Sequence, residues 1–347
     1  MKPEYCDWKI ELIPELDEDF IRGAEESHVF FHPSLIKIWL DTYVVLRHLT
    51  PLYVKATNGR NEAFLPMVKW RKNWKNAFLT TIVPVGYSDF DYHNPVFKKK
   101  PTSQELETFW EALEQYLSKS FSYDEIVIDG ITDSFLSQGL QWRQDEICPF
   151  LDLTEITSEE KLMAFFGTSL RGDIRRQIRR LNEIGELEYH EFSSWEEIPE
   201  STFTDFLHQH AMRWPSAYKA PGFHRNLLRE GLKSGVVHFS SLSIGEQEIA
   251  WHLGFEYKKT YFYYMPTGNS DFSKYSPTKI HLFYLVRRAI EKGYLVFDHL
   301  RGEETYKSGW SNGKQHVNST KLKNKGGATI LKDSILKMRG LITPPHT

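Results

Sequence analysis

Side chains able to do chemistry concentrate in four places of this 347-residue chain. The run from Asp298 to Trp310 holds Asp298, His299, Arg301, Glu303, Glu304, Tyr306 and Lys307, which supplies carboxylates that accept a proton and a phenol that donates one. An Arg301–Glu303 ion pair fixing the chain is the structural alternative there. The segment SKYSPTK at 273–279 sets Ser276, Pro277 and Thr278 at a helix start between Lys274 and Lys279. The first N–H groups of a helix lack intrahelical partners and sit at its positive end, so this is an anion site or else only a well-capped core helix. A third cluster, Asp89, Asp91, Tyr92, His93 and Asn94 beside Pro95, reads as a polar loop held in one shape or as a solvated turn. The fourth is Arg171, Arg175, Arg176, Arg179 and Arg180, set against the single aspartate Asp173: a solvated helix face or a phosphate or RNA contact.

Other chemistry is disfavoured. Cys6 and Cys148 lie far apart without ligand spacing, which argues against structural zinc and a disulfide framework. His208 and His210, two apart on a helix, face different ways and make a poor metal pair. Neither Ser nor Cys stands in a His/Asp setting, so a covalent acyl-enzyme has no evident nucleophile. Forty-three Lys and Arg against 46 Asp and Glu give a formal charge of −3, which argues against bulk nucleic-acid or anionic-membrane binding. The 40% hydrophobic and 14% aromatic content is that of an ordered globular chain. No apolar run approaches the roughly 20 residues that span a bilayer, and the start of the chain has no apolar leader, so a cytoplasmic protein without membrane insertion is expected.

The elements that must position these groups follow from periodicity. In the second half, strand 187–192 and helix 203–214 precede a meander of strands 236–242, 249–257 and 261–265, turning at Gly245-Glu246 and Lys258-Lys259. Helix 278–292 follows, with Ser276 as N-cap, Pro277 in the first turn and Gly293 past the stop, then strand 295–300 and a last strand near 328–331. The first half repeats the order with strand 8–13, helix 32–43, strands 52–56, 63–70 and 77–83, helix 103–117 and strand 125–131. That helix opens with the capping box Thr102 to Glu105. Between the copies, Leu162, Phe165, Phe166, Leu170, Ile174, Ile178 and Leu181 recur at helical spacing. Two copies of one topology in an α+β fold, a mixed sheet with flanking helices, are the economical reading. One large α+β sheet with coincidental order is the other.

The β-α-βββ-α-β order, twice over, resembles a double GNAT acyltransferase. Local strings resemble the branch that includes FemAB-type transferases and cellulose-biosynthesis-associated acetyltransferase-like proteins. They are FHPSLIKIW at 31–39, GYSDFDYHNP at 86–95, CPFLDL at 148–153, SLRGDIRRQIRRL at 169–181, RW at 213–214, IAWHLGF at 249–255 and FDHLRGEETYKSGW at 297–310. The resemblance implies acyl transfer from a thioester, acyl-CoA as co-substrate, to an amine, with no metal. It implies a splay of strands that frees backbone donors around Tyr264 and Met265 for the thioester and its oxyanion. The CoA pyrophosphate would then rest on the helix start, at Lys274, Ser276, Pro277, Thr278 and Lys279. The usual Arg/Gln-x-x-Gly-x-Gly/Ala loop is absent from both halves.

On that reading the chain divides into an N-terminal GNAT-like domain on the acceptor side (1–155), a basic connecting helix (156–185) and a C-terminal acyl-CoA domain (186–347). Tyr306 is the expected proton donor to sulfur and Asn94 the oxyanion donor, with Asp298 a further proton acceptor. Asp91, Tyr92, His93, Arg213, Trp214, Arg301, Glu303 and Lys307 are expected around the acceptor. The expected partners are small molecules, the donor and an amine acceptor, best matched by a nucleotide-linked amino sugar of surface-polysaccharide synthesis; nucleic acid is not expected. Two rivals stand beside it. One is a FemAB-like aminoacyl-tRNA-dependent transferase, supported by the arginine helix, and the other an inactive scaffold of a polysaccharide synthase.

Overall fold

A computed structural model describes residues 7–335 apart from 72–78, 88, 325, 327–329, 332 and 333. The chain separates into two compact units, unit 1 (Met1–Asp145 with Val317–Thr347) and unit 2 (Glu146–His316). Unit 1 runs β1 (Lys9–Ile13), α1 (Glu18–Gly23), α2 (Pro33–Arg47), β2 (Thr50–Thr57), β3 (Glu62–Arg71), β4 (Thr80–Pro84), β5 (Val96–Phe97), α3 (Ser103–Ser120) and β6 (Glu125–Thr132). Unit 2 contains β7 (Arg143–Asp152, which begins just before the boundary), α4 (Glu159–Phe165), α5 (Thr168–Asn182), β8 (Leu187–Phe192), α6 (Glu200–Arg213), α7 (Phe223–Gly231), β9 (Val237–Ile244), β10 (Gln247–Tyr257), β11 (Thr260–Gly268), α8 (Pro277–Glu291) and β12 (Val296–Asp298). The chain then enters β13 (Gly313–Lys323), of which Val317–Lys323 pair antiparallel with β6 in unit 1.

Each unit is built the same way. Strand order in unit 1 is β1-β2-β3-β4-β6-β13, and in unit 2 β8-β9-β10-β11-β12-β7. The meanders are antiparallel, and one parallel pair follows each crossover helix, β4 with β6 and β11 with β12. The mixed α+β class and the repeated order are therefore as expected from periodicity. α3 carries the Thr102–Glu105 capping box, and Leu106, Phe109, Trp110, Leu113 and Leu117 form its buried face. α8 starts at Pro277, whose missing N–H costs nothing in a first turn.

The differences have local causes. Ile330 and Leu331 are helical where a last strand was expected, and Ala328 and Thr329 lie outside the described residues. Among the described residues the last strand is β13, in which Val317 to Thr320 are buried. Ala77 and Phe78, expected to open a strand, also lie outside the described residues. The arginine-rich stretch is two helices, broken at Phe166-Gly167. It is part of unit 2, where Leu162, Phe166, Ile174 and Leu181 pack in one core with Ile280, Phe283 and Val286 of α8 and with Trp310. Ser276 does not cap α8 with its side chain; it sits at φ +53°, in the left-handed region, at the end of the 3-10 turn Ser270–Tyr275.

Candidate active site

In unit 2 the parallel pairing of β11 with β12 covers only Thr260–Phe262 against Val296–Asp298. Beyond it the strands part. β11 continues along β10 to Gly268, whereas the chain after Asp298 turns toward β7, with His299 N–H donating to Pro149 O (3.0 Å) and Gly302 N–H to Ile147 O (3.0 Å). At this same point the β10–β11 register slips. Leu253 faces Met265 and Phe255 faces Phe262, so β10 advances two residues while β11 advances three. The extra residue is a β-bulge at Tyr263-Tyr264, set where β11 and β12 part. A bulge and a splay therefore coincide at one point of unit 2.

The loop leaving β12 is fixed from within. Asp298 Oδ1 accepts from Leu300 N–H at 2.8 Å, holding Leu300 at φ +58°. Lys307 is buried, and its ammonium donates to Arg301 O (2.7 Å) and Gly302 O (3.4 Å) and pairs with Glu304 at 2.8 Å. Gly302 lies at φ +115° with the Glu304 carboxylate where a Cβ would go, so a larger residue would be strained there and would have to displace that carboxylate. Lys307, expected near the acceptor, thus has its ammonium engaged by backbone carbonyls of its own loop. Arg301 is half-buried and Glu303 exposed. Tyr306 is 38% exposed. Burial pushes its phenol up, as does the nearby Glu304 carboxylate, so it keeps its proton at neutral pH and remains a donor. Arg213 lies over the Trp214 ring at 5.5 Å at the end of α6, and its charge is felt by both Tyr263 and Tyr306. Tyr264 packs on Phe255 and Met265 is buried.

The helix start offers less than expected. Ser276 N–H donates to Ser273 O, Pro277 has none, and Lys279 and Ile280 N–H both go to Ser276 O. Among the described residues, that leaves Thr278 as the first-turn amide without a backbone partner. The Lys279 ammonium is held by Asp173 at 2.7 Å, and Lys274 lies over the Tyr275 ring at 4.9 Å. The arginines of α5 have neighbours of their own: Arg171 on Met163 O (3.4 Å), Arg176 on Asp173, Arg179 near Glu183 (3.8 Å), and Arg180 on Lys274 O (3.1 Å) and over Tyr275.

Unit 1 closes the equivalent opening. Parallel pairing of β4 with β6 stops after Ile82 and Ile126, but the β3–β4 register runs without a slip from Arg71 to Met67. The space beside β6 is filled by the polar loop. His93 N–H donates to Gly130 O (2.9 Å), and the His93 ring meets Asp129 at 3.1 Å. Asn94 Oδ1 accepts from Thr132 N–H (2.9 Å) while its Nδ2 donates to Thr132 Oγ1 (3.0 Å). Tyr92 is buried, edge-on to Phe30. Asn94, expected as an oxyanion donor, therefore has both ends of its carboxamide engaged inside unit 1. Asp91, Tyr92, His93 and Asn94 belong to unit 1, and Asp298 and Tyr306 to unit 2.

Missed from the sequence is a polar layer under α8: Tyr189, Glu191, His238, His252, Glu256, Tyr261, His281 and Arg288. The signal was present in His238 and His252, polar residues inside otherwise apolar strands. Among the described residues no group of three or more His, Cys, Asp or Glu could hold a metal ion, and no helix is long and apolar enough to cross a membrane.

Residues 168–308 match the family described as acetyltransferase (GNAT) domain. No curated protein matches the chain. Among solved structures it is similar to FemX, at 9% identity over 94% of this chain and 99% of that one, with a TM-score of 0.59. It is also similar to the C-terminal domain of a putative lysylphosphatidylglycerol synthetase from Agrobacterium fabrum (12% identity, 87% and 96% covered, TM-score 0.52). L-PGS from Bacillus licheniformis aligns comparably, at 11% identity with 87% and 96% covered and a TM-score of 0.51. These likenesses show the fold, and the segment carrying the acetyltransferase (GNAT) domain match lies wholly inside unit 2, the unit whose strands open around a bulge.

Proposed function

We propose that the chain is an N-acyltransferase in which unit 2 holds an acyl-CoA thioester at the β11 bulge and passes its acyl group to the amine of a polar acceptor. A nucleotide-linked amino sugar is the acceptor class we favour. The observation that carries this reading is the coincidence of bulge and splay at Tyr263-Tyr264, present in unit 2 and filled in unit 1. The amine nitrogen attacks the thioester carbon directly, the C–S bond breaks, Tyr306 protonates the departing sulfur, and the ammonium proton passes to a base. Thr278 N–H and Lys274 are the groups at the α8 start placed to meet a pyrophosphate, a smaller set than a full glycine-rich loop would offer.

A second reading, aminoacyl transfer from charged tRNA, is favoured by the sparse anion site at α8 and by the exposed Arg175, Arg176 and Arg179 on α5. Calorimetric titration with acetyl-CoA separates the two. Saturable binding, followed by thiol release on addition of UDP-linked amino sugars, supports the first. Absent CoA binding together with a tight tRNA complex that weakens steeply with salt supports the second.

A further inference from the structure

The polar layer under α8 ends in an unpaired nitrogen. Glu191 on β8 is clasped by Arg288 of α8 (Nη2 to Oε1 2.6 Å), which also pairs with Glu256 of β10. His238 of β9 follows, its Nε2 3.7 Å from Glu191 and 3.3 Å from the Tyr189 hydroxyl. Its Nδ1 lies 2.7 Å from the Tyr261 hydroxyl, which lies 3.0 Å from His252 Nδ1. His252 lies flat against Tyr263, the bulge residue, at 4.5 Å between centroids and 9° between planes. Its Nε2 is fully buried and has no hydrogen-bond partner. Other titratable groups facing this layer are His281 of α8, edge-on to His252 at 6.3 Å with its own Nε2 on Ser240 Oγ, His299 beyond Tyr263, Tyr284 stacked on Tyr189, and Tyr294, which donates to Glu256.

These contacts select a tautomer. Burial opposes ionisation of Glu191, but His238 nearby and Arg288, which donates to both carboxylate oxygens, outweigh it and keep the carboxylate charged. A carboxylate beside His238 Nε2 favours a proton there, so His238 Nδ1 accepts from the Tyr261 hydroxyl. The Tyr261 oxygen then accepts from His252 Nδ1–H, and His252 Nε2 is left as a bare lone pair. Burial pushes His252 well below the usual imidazole range, as do the neighbouring His281, His238 and Arg288, so it stays neutral. Stacking on Tyr263 does not explain a histidine, since a phenyl ring would stack as well and leave no unpaired nitrogen. Gly254 lets the ring sit there: a Cβ would meet it at 2.5 Å and Phe262 O at 2.7 Å.

We propose that His252 is the proton acceptor of unit 2, with Tyr261 and His238 as positioning residues that fix its lone pair at the bulge. This rests on the acyl-transfer reading above. As the amine nitrogen bonds to the thioester carbon, one N–H proton passes through a water to His252 Nε2. The resulting imidazolium keeps its Nδ1–H on Tyr261, and once the thiol and amide leave, its Nε2 proton returns through water to the Tyr306 phenolate, which gave its own proton to sulfur. The arrangement follows a general pattern, a base oriented by a second group that is itself oriented by a third.

Two measurements on the full-length chain decide it. In nitrogen-15 NMR, His252 should be neutral with Nδ1 protonated between pH 5 and 8; an Nε2–H tautomer overturns the assignment. In steady-state thiol release from acetyl-CoA with an amino-sugar acceptor, His252→Phe keeps the stack and removes the lone pair. Its turnover should fall ~10²-fold or more with unchanged CoA affinity. Tyr261→Phe, which keeps His252 but frees its Nδ1, should lose about tenfold and show a mixed tautomer, and serves if His252→Phe does not fold. Turnover of a folded variant within threefold of wild type sinks the assignment alone. No transfer by the wild-type chain sinks the acyl-CoA reading and this assignment with it.

Discussion

Replacing Arg288 with Met should destabilise unit 2 by removing the cation between two carboxylates. The guanidinium holds both oxygens of Glu191 and one of Glu256, while Tyr294 donates to Glu256, and only 9% of the Arg288 side chain is exposed. Breaking a buried pair by deleting one partner costs about 3–5 kcal/mol. Glu191 and Glu256 keep 34% and 17% of their side-chain surface, so water recovers part of the loss and the lower end, about 3 kcal/mol, applies. For a unit of this size that lowers Tm by about 6–12 °C. Thermal unfolding followed by circular dichroism reads it, and the triple variant with Glu191→Gln and Glu256→Gln should lose less than Arg288→Met alone, because no uncompensated charge remains. The pH dependence has a definite sign. Glu191 has a folded pKa below its ordinary value of 4.5, so its contribution is fully present above that value and fades as pH falls through the folded value. The gap between wild type and Arg288→Met should therefore narrow below about pH 4.5. A Tm within 2 °C of wild type at pH 7, or a gap that widens on acidification, would refute the reasoning.

Asn94→Ala should act on stability, by about 2–3 kcal/mol in urea unfolding, because it strips two hydrogen bonds from buried Thr132; wild-type stability with turnover cut ~10²-fold would restore the oxyanion role. Gly302→Ala forces a side chain onto the Glu304 carboxylate at φ +115° and should cost about 1–3 kcal/mol, read in the same assay. Tyr306→Phe should lower the turnover number ~10²- to 10⁴-fold with little change in CoA affinity; an equal loss of affinity would make it a binding residue instead.

How much was legible in the sequence follows the range of the interactions involved. The meander order, the α3 capping box and the Pro277 helix start are set by residues within a few positions of one another, and they were readable. The bulge was not, because it is a mismatch between β10 and β11, invisible in either strand alone. Return of β13 to unit 1 was missed for the same reason, its partner β6 lying near 125–132 while β13 lies near 317–323. Asn94 read as a free polar side chain because its partner Thr132 is 38 residues away. Lys307 read as one of the groups around the acceptor, and its burial could not be read because the carbonyls of Arg301 and Gly302 converge on it only in the folded loop. The imidazoles of His238, His252 and His281 come from three elements and join only once β9, β10 and α8 are packed.

Hydrogen exchange of the full chain with and without saturating acetyl-CoA tests the central claim most directly. If the thioester sits at the bulge of unit 2, the amides of residues 262–265 should gain protection and those within 82–94 in unit 1 should not. Protection gained at 82–94, or no change in either segment at saturating ligand, would contradict the account.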